Sequence, residues 1–269
     1  MSIVVPHFPA GKRGAPGRLS GVRSTRDTLR DAARAKQAVR ERVWALLERR
    51  GATRFPGARG RIPNFVGAEA AAERLAELPV WKRARVVKAN PDAPQLSVRA
   101  RALADGKLVY MAVPRLSEEK PFLLLDPDRL KVSPRRAASI KGASAVGQRV
   151  PIDVMRPIDL VVCGTVAVNR KGVRVGKGGG FSDLEFALLV EAGLINDKTL
   201  LVTTVHPLQV LDEDLPETDH DFRVVRIVTP NEVIACRRAR RPPGILWDHL
   251  DEETISRIPV LKSLGRGKS

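Results

Sequence analysis

The stretch from Asp159 to Leu194 constrains this chain most. An apolar strand, DLVVC, runs into a basic, glycine-dense loop, and the loop opens into an amphipathic helix. Arg174, Gly176, Gly178, Gly180 and Asp183 form Arg-x-Gly-x-Gly-x-Gly-x-x-Asp, with Lys177, Gly179 and Phe181 inside it. Glycine at alternate positions lets backbone amides approach a ligand closely. Successive amides make a concave anion site, and a helix beginning near Ser182 adds its positive end. Arg174 and Lys177 supply mobile positive charge for phosphate oxygens. Asp183 stands where a carboxylate can hold magnesium on those phosphates. No Gly-Lys-Ser/Thr closes a Walker loop, and the strict period of two differs from the dinucleotide pattern Gly-x-Gly-x-x-Gly. The same residues also permit a plain glycine-rich turn in which Asp183 only caps the helix, and spacing alone does not separate the two.

The flanking chain predicts an α/β fold. Ser24 and Asp27 have capping-box spacing, and Leu29, Ala32, Val39, Val43, Leu46 and Leu47 recur at helical intervals until Gly51. Lys36 and Arg40 share a face of this helix beside Val39 and Val43, a position that snorkelling cations also occupy. Residues 54–65 read as a loop, 67–78 as a helix, 85–89 as a strand, NPDAP as a turn and 96–103 as a helix. Apolar runs at 108–113 and 121–126 are strands, and 127–150 is polar and irregular with short helical pieces. After the central stretch come a strand at 200–206, an acidic loop to 221, and strands at 222–230 and 233–236. Alternation of strands and helices predicts a layered domain with a largely parallel sheet over residues 24–236. Residues 1–23, rich in Gly, Pro and Arg, read as a flexible basic arm. Residues 237–269 read as a basic linker and a short terminal helix packed on the same domain, with Trp247 as an anchor.

Charge and composition narrow the function classes. The chain carries +17 over 269 residues. Residues 1–26, 237–241 and 262–269 hold +5, +4 and +3 of it, twelve of the seventeen. The remainder is modestly basic, which suits an enzyme of anionic substrates; specific nucleic-acid binding is not expected. Trp44 and Tyr110 sit in packing positions, and aromatics are only 4% of the chain, so stacking platforms for single strands are lacking. No apolar run approaches the about 18 residues of a membrane span. Cys163 and Cys236 make no disulfide framework, and His7, His206, His220 and His249 show no metal-ligand spacing. A cytoplasmic protein, monomeric or weakly dimeric, is expected.

With these residues assembled, the run from Gly164 to Leu184 resembles the signature of the 5-formyltetrahydrofolate cyclo-ligase family: a strand, the turn NRKG, the cradle RVGKGGG and the end FSD. Gln209, Pro216, the pair His220–Asp221 and Thr229 match its downstream pattern, and Lys36 and Arg40 its amino-terminal Lys-x-x-x-Arg. KQAVRERVWALLE, GRIPNF, NPDAP, RPPGILW and IPVLKSL are similar to the branch called methenyltetrahydrofolate synthetase domain-containing proteins, so the resemblance covers about residues 24–265.

The resemblance implies a three-layer, Rossmann-like α/β/α sandwich and an ATP- and magnesium-dependent closure of 5-formyltetrahydrofolate to 5,10-methenyltetrahydrofolate. It implies that Lys36, Arg40, Arg174, Gly176, Lys177, Gly178, Gly179, Gly180 and Phe181 bind ATP and that Asp183 serves magnesium, with Arg174 and Asp183 catalytic. The sequence departs from the family at Ser182, where a second aromatic is usual. It departs again near NPDAPQLSV, where Asp92 and Gln95 stand without the folate-contacting Glu, and at KPFLLL in place of Met-x-Phe. Two alternatives therefore stand beside the ligase: a nucleotide-binding paralogue acting on another formyl or carboxylate compound, or without turnover, and a basic nucleic-acid-associated protein.

Overall fold

A computed structural model describes residues 24–236 and 240–265; the arm expected over 1–23 and the linker residues 237–239 lie outside them. Helix α1 (Thr25–Arg49) begins where the capping spacing puts it, with the Ser24 side chain accepting from the Asp27 amide. After a loop, α2 (Ala68–Glu77) and the one-turn α3 (Pro79–Arg83) lead into β1 (Val86–Ala89). Then come α4 (Leu96–Ala104), β2 (Leu108–Ala112), β3 (Phe122–Leu125), α5 (Pro134–Ala138), α6 (Ile140–Val146) and β4 (Gln148–Val150). The central stretch supplies β5 (Leu160–Cys163), β6 (Ala167–Asn169), β7 (Arg174–Val175) and α7 (Phe181–Glu191). The chain continues through β8 (Leu200–Thr204), β9 (Val210–Leu211), β10 (Arg226–Val228), β11 (Val233–Ala235), α8 (Glu252–Arg257) and α9 (Pro259–Gly265).

Among the described residues, eight strands form the main sheet in the order β11-β10-β8-β5-β1-β2-β3-β4. From β10 to β2 all neighbours are parallel, and β11, β3 and β4 run antiparallel to theirs. Side chains alternate across the sheet, as the pleat requires. On β5, Leu160 and Val162 join the apolar layer of α2 to α6, while Val161 and Cys163 join the layer of α7. The three-layer α/β/α sandwich expected from the sequence is thus the architecture. Ile258 and Leu261 are buried in the α7 layer, and Trp247 packs against it.

Three pieces differ from the sequence reading. Residues 127–150 hold a strand, β4, after the expected short helices α5 and α6, and the acidic loop contains β9. A second sheet, in the order β7-β6-β9, carries the cradle, so Arg174 stands on a strand where a loop was expected. Strands of two or three residues are too short to show a period in sequence. Helix α1 covers this small sheet with Val39, Val43, Trp44 and Leu47, against Ala167, Val173 and Val175. No helix among the described residues is long and apolar enough to cross a membrane.

The turn between β6 and β7 fixes the cradle to the main sheet. Gly172 has φ +85°, its carbonyl accepts from the Val224 amide at 2.9 Å, and a Cβ here would meet the Val224 oxygen at 2.1 Å. Gly172→Ala is expected to cost ~3 kcal/mol or more through strain and clash. Gly106→Ala, at φ +73° in open space, should cost about 1 kcal/mol. Urea midpoints of the two variants measure the difference.

Candidate functional site

A cavity of about 730 Å³ opens at the carboxyl ends of β1, β2 and β5, where parallel sheets place their ligand sites. Its floor is the segment after β1, and one buried side chain holds that segment. Arg99 of α4 is 1% exposed and donates to the carbonyls of Asn90, Pro91, Asp92 and Ala138. Burial pushes its pKa down to about 10, so it stays cationic. Four accepted carbonyls satisfy a charge that is otherwise costly to bury.

On one side of the cavity lies the cradle, Gly176 to Phe181. Gly178 has φ +108°, a conformation that favours glycine, and a Cβ there would press on the Arg40 guanidinium at 3.3 Å. Arg40 Nε donates to the Gly176 carbonyl at 2.7 Å. Arg174 is 3% exposed, with its guanidinium 4.1 Å above the Phe222 ring. Its Nη2 donates to Asp183 Oδ1 at 2.6 Å. Burial is the largest influence and would lower the Arg174 pKa, but the charge and hydrogen bond of Asp183, together with Cys163 and Asp221, hold the value above the ordinary one. The mobile charge expected at Arg174 is therefore a fixed one. Only Lys177 is half exposed, paired with Asp92 at 3.0 Å. Asp183 does not cap the helix: Gly180 is the N-cap of α7 and no side chain bonds there.

The remaining predicted residues converge on the same cavity. Lys36 Nζ donates to Asp221 Oδ2 at 2.5 Å, both buried. Burial would raise Asp221, but the charge and hydrogen bond of Lys36 and two hydrogen bonds from Thr218 hold it below the ordinary carboxylate value. Thr218 Oγ1 also lies 3.0 Å from His220 Nε2, and His220 Nδ1 lies 2.9 Å from His249 Nδ1. Thr218 donates to Asp221, so it accepts from His220, and His220 Nδ1 in turn accepts from His249. Other residues of the downstream pattern are scaffold. Gln209 Nε2 donates to the carbonyls of Thr165 and Val166, and Thr229 ties the β10–β11 turn through the amides of Asn231 and Glu232. His206 caps the turn at 207–209 with Gln209. Gln95 is fully buried away from the cavity and bonds Thr204.

Sequence reasoning missed a second charged pair beneath the cavity. Lys88 of β1 is 2% exposed and donates to Glu185 of α7 and to Asn90 Oδ1 at 3.0 Å. Asn90 Nδ2 reaches Ser182 Oγ at 3.3 Å, so the residue that replaces the expected aromatic belongs to this network. The signal was available: one cation in VVKA and one carboxylate in an otherwise apolar helical run each demand a buried partner. Also missed was the far end of the cavity, walled by Met111, Val113, Leu123 and Ile140 and ending at Arg115. Arg115 and Leu116 take φ of 57° and 51°, costing of order 1–3 kcal/mol each. Leu116 is fully buried, which holds the strained turn. Among the described residues Arg115 has no charged or hydrogen-bonded partner.

These residues fit a polyphosphate. Arg174, Arg40 and Lys177 line the cavity beside the backbone of Gly176 to Gly180. Asp183 spends one oxygen on Arg174, and its other oxygen would be open to a magnesium ion held mainly by phosphates and water. No cluster of three metal-ligating side chains occurs among the described residues, so a metal here depends on the bound phosphates.

The chain is similar to known proteins. The profile of the 5-formyltetrahydrofolate cyclo-ligase family matches residues 32–230. The methenyltetrahydrofolate synthase domain-containing protein of Bos taurus is 39% identical over 237 residues, and that of Mus musculus 40% over 236; each alignment covers 86% of this chain. The chain spans 62% and 63% of the length of these relatives. A solved Aquifex aeolicus 5,10-methenyltetrahydrofolate synthetase is 21% identical, with a TM-score of 0.47, over 78% of this chain and 94% of that one.

Two outcomes follow from the buried charges. Glu185→Ala strands the Lys88 ammonium and should cost about 3–5 kcal/mol in a denaturant melt, while Lys88→Met with Glu185→Leu should recover most of it. Burial lowers the pKa of His220 and of His206. A histidine lowered in the folded state gives full stability above about pH 6.5 and loses it as the pH falls toward the folded value. The Tm should therefore drop between pH 7 and 5, and His206→Gln with His220→Gln should flatten that limb.

Proposed function

Because this chain belongs to the 5-formyltetrahydrofolate cyclo-ligase family, we propose that it is a ligase that uses ATP and magnesium to close 5-formyltetrahydrofolate to 5,10-methenyltetrahydrofolate. The observation that carries the reading is Arg174: a guanidinium held on β7 beside the glycine cradle, lining the same cavity as Arg40 and Lys177. Three cations around a run of backbone amides make a site for phosphate oxygens.

In this reaction the γ-phosphoryl group of ATP makes the formyl oxygen a leaving group, and magnesium neutralises charge on the phosphates. The chain's own residues then position and stabilise. Arg174, Arg40 and Lys177 hold phosphate oxygens with charge-assisted hydrogen bonds. Asp183, oriented by Arg174, offers its second oxygen to the metal. The neighbouring folate nitrogen attacks the activated carbon, a C–N bond forms, the C–O bond breaks, and phosphate departs. No protein nucleophile is needed, and none is offered: Cys163 is fully buried and its thiol is pushed up by burial. Catalysis rests on orientation and fixed charge.

One observation favours a variant substrate within the same chemistry. Asp92, at the position where a folate-contacting glutamate is expected, is engaged by Lys177. The apolar half of the cavity ends at Arg115, which is unpaired among the described residues. This arrangement suits an apolar body carrying a formyl group at one end and a carboxylate at the other.

Incubation with 5-formyltetrahydrofolate, ATP and magnesium, followed by methenyl absorbance, tests the ligase. ATP bound without product would leave the variant-substrate reading. Lys177→Ala should raise the KM for ATP about 10-fold or more, the value of a hydrogen bond to a charged group, with an unchanged Tm because its side chain is 47% exposed.

A further inference from the structure

The cradle faces two cavities. Across Gly179–Phe181 from the large one lies a second, of about 240 Å³, walled by Leu184 and Ala187 of α7 and roofed by residues 244–258. The roof lies beyond residues 32–230, the span that the family profile matches. The stretches RPPGILW and IPVLKSL at its two ends resemble the methenyltetrahydrofolate synthetase domain-containing branch, but that resemblance implies no role for them.

The roof is built in, not merely adjacent. Its Ile245 amide donates to Glu191 Oε1 at 3.1 Å. Gly244 sits so close to that carboxylate that a Cβ would meet Glu191 Cγ at 2.7 Å. Ile245 and Ile258 are buried in the same apolar layer as α7. Asp251 caps α8 by accepting from the Thr254 amide at 2.7 Å, which fixes Thr254 at the pocket. The walls are apolar, and the polar groups are few: His220, His249, Thr254 and Arg257. Apolar walls with a small number of placed polar groups are the makeup of a small-molecule pocket.

Its position decides what it would take. The two cavities share Gly179, Gly180, Phe181, Asp183, His220 and His249. A phosphate chain seated on the cradle therefore has two exits. The larger exit, toward Met111 and Arg115, has the volume for the acceptor, which must reach the terminal phosphate. The smaller exit is left for the other end of the nucleotide.

We propose that the base of the bound nucleotide occupies the pocket roofed by residues 244–258, with His249 and His220 beside the sugar. This rests on the ATP reading above and deepens it: the carboxyl-terminal segment becomes part of the nucleotide site. A polar chain with an apolar, flat end suits a basic cradle that opens into an apolar slot.

Calorimetric titration of the full chain with magnesium-ATP and with magnesium tripolyphosphate, which lacks base and sugar, tests this. The wild type should bind ATP about tenfold or more tighter than tripolyphosphate. Leu250→Trp, which fills the pocket, should abolish most of that preference while tripolyphosphate affinity stays within about twofold. A wild type with no preference for ATP, or a variant that keeps it, overturns the proposal. If neither compound binds, the cradle itself is refuted and the proposal falls with it. Should Leu250→Trp not fold, photolabelling of the wild type with 8-azido-ATP decides: label within 244–258 or 184–187 supports the pocket, and label within 111–123 or 140–144 overturns it.

Discussion

Around one cavity, Lys36 on α1, Lys88 on β1 and Arg174 on β7 sit almost without solvent contact, each against a carboxylate. Taking such a charge out of water costs several kcal/mol unless a carboxylate and further hydrogen bonds compensate. Each cation therefore dictates where a carboxylate must stand. Asp221, Glu185 and Asp183 fill those places from the segment before β10 and from two positions of α7. The pairs tie α1, both sheets and α7 to one another at the point where the cradle opens. Moving any of these elements would leave a buried charge alone.

The chemistry expected of the site uses this rigidity. A ligase that needs no covalent protein intermediate has little to supply except position and field. Arg99 fixes the backbone of residues 90–92 through their carbonyls, the small sheet fixes Arg174, and Gly178 leaves room for the Arg40 guanidinium. Little of this machinery is left to be ordered on binding, so little entropy is lost there.

Much of this was legible in the residues. The strand–cradle–helix unit, the capped first helix and the parallel core strands all carry periods long enough to read. Lys36 and Arg40 were ambiguous by position alone, since snorkelling and site-facing cations share the same helical face; the structure separates them by burial and by the partner Asp221. The small sheet was not legible, because its strands are two or three residues long. Lys88 and Glu185 were overlooked because they are 97 residues apart and only the fold joins them. The Arg115 turn was invisible because positive φ at a non-glycine residue leaves no mark in sequence.

The acidic segment between β8 and β10 has a further consequence, in its response to ionic strength. Along it, Asp212, Glu213, Asp214 and Asp219 pair with Arg170, Arg42, Lys171 and Arg240, all at exposed positions. Pairs of this kind are screened once the Debye length falls to a few ångströms, near 1 M salt. Asp221, at the end of the same segment, is buried with Lys36 and is screened far less. Rising salt would thus peel the segment from its outer end while its inner end holds. The pairing of β9 with β6, buried Leu215 and the desolvated Lys36–Asp221 contact hold the segment whatever the medium, and only its exposed fringe varies with salt.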